Sequence, residues 1–327
     1  MTKTKWAITS RSKLITIILL VLLSSVFPLF SSKYIIHILV ICWLLAISSI
    51  GWNICYGYTG LLSFGHTVFF GISAYITLWL LVPFQITPWI GIFIGASIAC
   101  VLGLLITFVT IRTRGIYFAL ATFALPQILI IIFNTFWQVT GGAYGVIIPF
   151  AEENAYLMYF YDPVFYYYIA LAFLISVLVL QLRLSESKLG YCLRAIGSDE
   201  DAANSLGIDP FRTRLFGMGI SSFVTGLSGG IFVNFLKFID PVQAFGWPLN
   251  IQMILGTVVG GVGTIFGPVI GVLVVVPLTE IMKLWIEQHF RGLNLVINGV
   301  ILMLFIVLMP RGVYPWLKKL FEKYLGG

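Results

Sequence analysis

The chain has 327 residues, 60% of them hydrophobic and 9% charged, whereas soluble domains carry roughly a quarter charged residues. A water-facing surface cannot be built from that composition, so a soluble globular protein is excluded. The formal net charge of +7 does not imply nucleic acid, because the basic residues sit at the ends of apolar runs, the pattern of a positive-inside bias; membrane lipid is the expected surrounding and no nucleic-acid partner is expected.

In chain order, the first 30 residues imitate a secretory signal, with Lys3, Lys5, Arg11 and Lys13 ahead of the apolar run Leu14 to Phe30. No A-x-A site follows and a second apolar run begins at once, so the segment reads as an uncleaved first span. Runs of membrane-spanning length are expected at 14–30, 34–52, 64–82, 88–110, 115–136, 164–182, 213–236, 248–264, 266–283 and 292–309. The expected fold class is therefore an all-α, multi-pass integral membrane protein of about ten transmembrane helices, in one domain covering 1–327. With both termini on the cytoplasmic side, 15 of the 19 Lys and Arg residues fall on that side. The outer segment 137–163 carries Glu152, Glu153 and Asp162 without any Lys or Arg. Glycines and Pro268 break the pattern over 248–283, which reads as a pair of short spans or as a re-entrant segment whose backbone is buried in protein or lines a cavity.

Two stretches interrupt hydrophobic helix with glycine and hydroxyl residues. The first runs from Gly57 through Gly60, Ser63 and Gly65 to His66; the second contains Gly260, Gly261, Gly263, Thr264 and Gly267. Either one alone reads equally as close helix packing. Standing in opposite halves of the chain, the two together point to a translocation path, because broken helices expose backbone polar groups near mid-membrane.

Chemistry that is missing narrows the function. No span carries an ionisable residue at its middle, which lowers a proton- or sodium-driven secondary transporter and leaves the energy to come from elsewhere; a stand-alone channel or secondary transporter is the alternative of a different class. No phosphate-binding loop of the G-x-x-x-x-G-K-S/T type occurs, and no catalytic constellation marks an enzyme. Cys42, Cys55, Cys100 and Cys192 are widely spaced, as are His37, His66 and His289, so no metal site is expected.

The long inner loop 183–214 mixes acids and bases. Ser198 is placed to cap a helix whose first turn holds Asp199, Glu200 and Asp201, and Gly207 followed by Pro210 is placed to end it, giving about eight residues. Ala202, Ala203 and Leu206 form a small apolar patch on that helix. Composition alone suits a solvated loop helix; a docking helix for another subunit is the sharper alternative.

At this loop the sequence resembles the E-A-A-x-x-x-G element of ABC importer permeases, with Asp201-Ala202-Ala203 and Gly207 in register and Asp in place of the leading Glu. The resemblance implies that Asp201, Ala202, Ala203 and Gly207 belong to a coupling helix that docks on an ATPase subunit. The ordered set of Gly57 to His66, Phe69 to Tyr75, Arg114 to Leu120, Thr140 to Gly142 with Gly145, and Gly260 to Pro268 is similar to the permeases of branched-chain amino-acid ABC importers, most of all their M-type subunits. That family also contains urea and short-amide permeases. Membership implies a homologous second permease, two cytoplasmic ABC ATPases that bind ATP and Mg, a periplasmic or lipid-anchored binding protein, and no cofactor bound by this chain. It implies an inner-membrane location and transport of leucine, isoleucine or valine by alternating access; the glycine-broken segments, and not the resemblance, suggest that the cargo carboxylate meets half-helix N-termini near Ser63 or Thr264.

Overall fold

The computed structural model describes residues 24, 27–110, 116–149, 152–286, 299–300, 303 and 312–316. Its helices are α1 (Lys33–Asn53), α2 (His66–Leu81), α3 (Pro88–Thr110), α4 (Ile116–Thr135), α5 (Pro163–Glu186), α6 (Lys188–Ser198), α7 (Glu200–Ser205), α8 (Pro210–Leu236), α9 (Trp247–Gly260) and α10 (Gly267–Ile286), with single turns at Trp137–Thr140 and Pro241–Phe245. A π-helical turn, Ile54–Tyr58, extends α1. Five described stretches are long and apolar enough to cross a membrane: Lys33–Tyr58, Pro88–Thr110, Tyr117–Thr135, Pro163–Glu186 and Pro210–Leu236. The expected spans 14–30 and 292–309 lie largely outside the described residues, as do Arg112, Arg114, Arg311 and the terminal lysines.

Helix starts follow a repeated local signal. Asp162-Pro163, Asp209-Pro210 and Asp240-Pro241 each place an extended aspartate whose carboxylate accepts a backbone N–H from the first turn, with proline at the first helical position. Proline there loses no hydrogen bond and carries a helical φ in advance. For this reason α8 starts at Pro210, three residues before hydropathy alone places it. α5 likewise runs on to Glu186, past the apolar stretch that ends at 182.

Helices in lipid gain little from burying apolar surface against each other, so their contacts rely on close approach and on hydrogen bonds between helices. α1 and α8 form the buried centre in this way. Ser228 Oγ donates to Leu44 O at 2.6 Å and Ser221 Oγ to Gly51 O at 2.6 Å, tying α8 to α1. α9 joins the other side of α1 by a reciprocal pair: Ser49 Oγ donates to Met253 O and Thr257 Oγ1 to Ser49 O, both at 2.9 Å. α2 and α3 cover α8, and α5 and α10 cover α1. α3 and α4 instead leave large apolar side chains outward, among them Phe93, Val101, Phe108, Leu120 and Ile131.

Beyond α4, the expected loop 137–163 contains a two-residue strand, Val146–Ile147, paired antiparallel with Phe238–Ile239 after α8, with Val146 opposite Ile239. The stretch 248–283 is two helices folded back on each other around 261–266. α9, at 14 residues, is about 21 Å long at 1.5 Å per residue, short of a bilayer core of about 30 Å.

Candidate functional site

Residues 60–65 run without helix between the π-helical turn and α2, so their backbone groups need partners from elsewhere. Side chains from α1, α4 and α9, from the π turn and from the adjoining Thr59 supply them. Leu61 N donates to Thr59 Oγ1 at 3.3 Å, and Leu61 O accepts from Cys55 Sγ at 3.3 Å. Trp52 Nε1 donates to Ser63 O at 2.7 Å; Phe64 N donates to Thr122 Oγ1 of α4 at 3.1 Å; and Asn250 Nδ2 of α9 donates to Phe64 O. An unwound segment is tolerated inside this protein because it is held along its length.

Two predicted residues, Ser63 and His66, lie at the centre of that arrangement, 1% and 0% exposed. Ser221 already donates its proton to Gly51 O, so its oxygen, 2.8 Å from His66 Nε2, must be the acceptor. The imidazole therefore carries its proton on Nε2. In the neutral ring Nδ1 then accepts from Ser63 Oγ, 3.1 Å away, while Ser63 Oγ also accepts from Gly65 N at 3.3 Å. A chain Ser63–His66–Ser221–Gly51 thus links the first break to both central helices.

The second break, 261–266, is built alike. Thr264 Oγ1 donates to Gly261 O at 2.6 Å and accepts from Gly267 N at 3.1 Å, so the predicted Thr264 serves as a hydroxyl cap at the start of α10. Gly261 and Gly263 have φ of 123° and 75°. Gly260 and Gly267 lie backbone against backbone.

The two breaks meet. Asn53, the last residue of α1, donates through Nδ2 to Thr264 O at 2.8 Å and accepts through Oδ1 from Gly263 N at 2.7 Å, and it is fully buried. Gly57 makes the approach possible, since a β-carbon there would stand 2.3 Å from Asn53 Oδ1 and 2.7 Å from Gly263 N. Gly57, Gly260, Gly261, Gly263, Thr264 and Gly267 are thereby brought together, while Gly60, Ser63, Gly65 and His66 occupy the far part of the first break. Sequence reasoning missed Asn53. Its signal is a lone amide in an apolar run just before the glycine-broken stretch.

The loop 183–214 is more structured than expected. Ser187 caps α6, and the cap of α7 is Asp199, not Ser198: Asp199 is extended and its Oδ1 accepts from Ala202 N at 3.0 Å, while Ser198 Oγ donates back to Arg194 O. A carboxylate is the stronger acceptor at the positive end of a helix. α7 therefore has six residues instead of about eight. It ends as expected: Gly207 lies at φ 84°, its N–H bonds Asn204 O, and Ile208 N bonds Ala203 O, the paired bonds of a Schellman cap. Gly207→Ala is expected to cost about 1 kcal/mol through the left-handed conformation alone, a loss to be read as a lowered melting point in detergent.

Glu200 of α7 and Arg214 of α8 form a two-pronged ion pair at 2.9 and 3.1 Å. The apolar patch predicted on α7 divides: Ala203 is 3% exposed and faces the body of the protein, whereas Leu206 is 82% exposed and Asp201 and Ala202 also face outward. Against the first break stands α6, where a β-carbon on Gly197 would lie 2.4 Å from Tyr58 O.

A bundle of long apolar helices around two clasped helix breaks, with a short capped helix held beside them, defines a multi-pass membrane transport component. Residues 34–309 match the family model described as branched-chain amino acid transport system / permease component, and the chain belongs to that family. It is 27% identical to the high-affinity branched-chain amino acid transport system permease protein LivM of Escherichia coli (strain K12), over 94% of this chain and 76% of that protein. It is 25% identical to the probable branched-chain amino acid transport permease protein LivH of Methanocaldococcus jannaschii, over 84% of this chain and 87% of that protein. No solved structure matches the chain significantly.

Proposed function

We propose that this chain is one permease subunit of an ABC importer that carries branched-chain amino acids across the inner membrane, with both termini and the α6–α7 loop on the cytoplasmic face. It pairs with a homologous permease, receives cargo from a binding protein, and is driven by two ATPases that bind ATP and Mg. The observation that carries this reading is mechanical: α7 is tied to α8 by Glu200 and Arg214, and α6 abuts the first helix break, which Asn53 clasps to the second. A push on α7 therefore reaches both breaks through rigid, hydrogen-bonded elements. A path lined by neutral groups suits a zwitterion of small size.

Because the hydroxyls of Ser63 and Thr264 already cap chain segments, their contribution to cargo is positional: they hold the unwound backbone in place. Uptake of labelled leucine and labelled urea by cells with and without this chain tests the cargo; uptake that depends on the chain for urea alone would refute it. For docking, the exposed Leu206 is the informative position. Burying a leucine side chain is worth about 1.5–3 kcal/mol, so Leu206→Asp is expected to weaken ATPase recovery on purification by about ten- to a hundredfold with membrane insertion unchanged. Full recovery would remove α7 from the docking role. Ala203→Arg is a poorer probe, since Ala203 packs inward and the substitution damages this chain's own fold.

A further inference from the structure

Between α6, the end of α5 and both helix breaks lies a cavity of about 500 Å³. Tyr58 reaches it from the first break, Thr264 and Phe266 from the second, and Tyr191 and Arg194 from α6. The Arg194 guanidinium stands 5.7 Å from the Tyr58 ring centre and 5.1 Å from that of Tyr191, and its Nη2 donates to Ser185 O at 2.6 Å. Two aromatic faces and one carbonyl fix a planar cation whose fork has five N–H donors. Among the described residues Ser185 O is its one hydrogen-bond acceptor. Glu186, exposed at the end of α5, also lines this wall.

We propose that this cavity is an inner-side regulatory site for the imported product. A zwitterionic amino acid binds there with its carboxylate on Arg194, its aliphatic side chain against the aromatic walls and its ammonium toward Glu186. Fixed guanidinium groups suit carboxylates because two parallel N–H···O bonds form at once. A ligand in this place touches α6 and both breaks together. It therefore favours the arrangement in which those elements stand as they do here and slows the switch that import requires, since a ligand shifts an equilibrium toward the state it binds better. The proposal rests on the importer reading above.

The test uses the complete transporter in vesicles that hold ATP and Mg on the α7 side. Initial uptake of labelled leucine is measured with the interior either empty or loaded with unlabelled leucine, leucinamide or 4-methylpentanoate. Internal leucine is expected to slow uptake, and the two analogues, each lacking one charge, to do so less. A hydrogen-bonded charge contributes enough that Arg194→Gln should raise the half-inhibiting internal leucine concentration by about tenfold or more. Arg194→Lys, which keeps the charge but loses the fork, should fall between. Undiminished inhibition in Arg194→Gln, or in Arg194→Lys if the former imports nothing, overturns the site, as does a parental transporter unaffected by internal leucine. Failure of the parental transporter to import leucine into empty vesicles would instead overturn the functional reading on which the site rests.

Discussion

Asn53→Leu is expected to abolish import and to destabilise the protein by about 2 kcal/mol or more, because two part-buried backbone groups lose their partners, each at the lower end of the about 1–3 kcal/mol that an unsatisfied buried group costs. The two groups are Gly263 N and Thr264 O, bonded at 2.7 and 2.8 Å to opposite ends of one amide. Leucine keeps the branched skeleton of the asparagine side chain, but its methyl groups are bulkier than the amide oxygen and nitrogen they replace, so a steric loss adds to the polar one at this fully buried position. Asn53→Asp keeps the acceptor for Gly263 N but sets a carboxylate against Thr264 O, and import should fail in that variant as well. As a control, Ser176 faces outward on α5 and bonds only within its own helix, at 2.8 Å to Ala172 O, so Ser176→Ala should leave uptake near the parental rate. Labelled-leucine uptake at equal membrane abundance, together with thermal unfolding in detergent, reads both effects. Parental uptake by Asn53→Leu would show that the clasp is dispensable.

A comparable loss is expected from Gly271→Val, through sterics alone. A β-carbon on Gly271 would stand 1.8 Å from Gly256 O and 2.6 Å from Gly260 N. Both obstacles are backbone, so no rotamer relieves them and α9 and α10 must separate. Overpacking a core with flexible neighbours already costs about 1–3 kcal/mol, and here the separation also pulls Gly263 and Thr264 from Asn53. The expected result is little folded protein in the membrane fraction. Gly299→Ala provides the contrast, since a β-carbon there meets no described atom within 4 Å, and helical Gly→Ala changes are favourable by about 0.5–1 kcal/mol. If Gly271→Val accumulates and melts like the parent, the close approach of α9 and α10 is not a requirement of the fold.

Much of the architecture was legible in the residues. The expected spans from 34–52 to 266–283 all correspond to helices because lipid imposes its requirement residue by residue: a stretch that meets hydrocarbon must be apolar and must satisfy its own backbone. Gly207 was readable as a helix stop for an equally local reason, the left-handed φ that ends a Schellman cap. Boundaries shifted where local chemistry competes with hydropathy, as at Asp209-Pro210, and the cap of α7 moved from Ser198 to Asp199 because two good capping residues stand side by side and only the path of the chain out of α6 chooses between them.

The candidate site divides along the same line. By itself the sequence determined that this is a membrane chain, roughly where its helices run, that two of them are broken at glycine, and which family it resembles. Only the tertiary structure decided that the two breaks touch, that Asn53 joins them across 210 residues of sequence, that Ser63 and Thr264 cap backbone, and that Leu206 rather than Ala203 faces outward. Those are properties of pairs of groups far apart in the chain. Bilayer partitioning acts on each residue singly and leaves a periodic trace, whereas a hydrogen bond between distant segments depends on how the helices pack and leaves none.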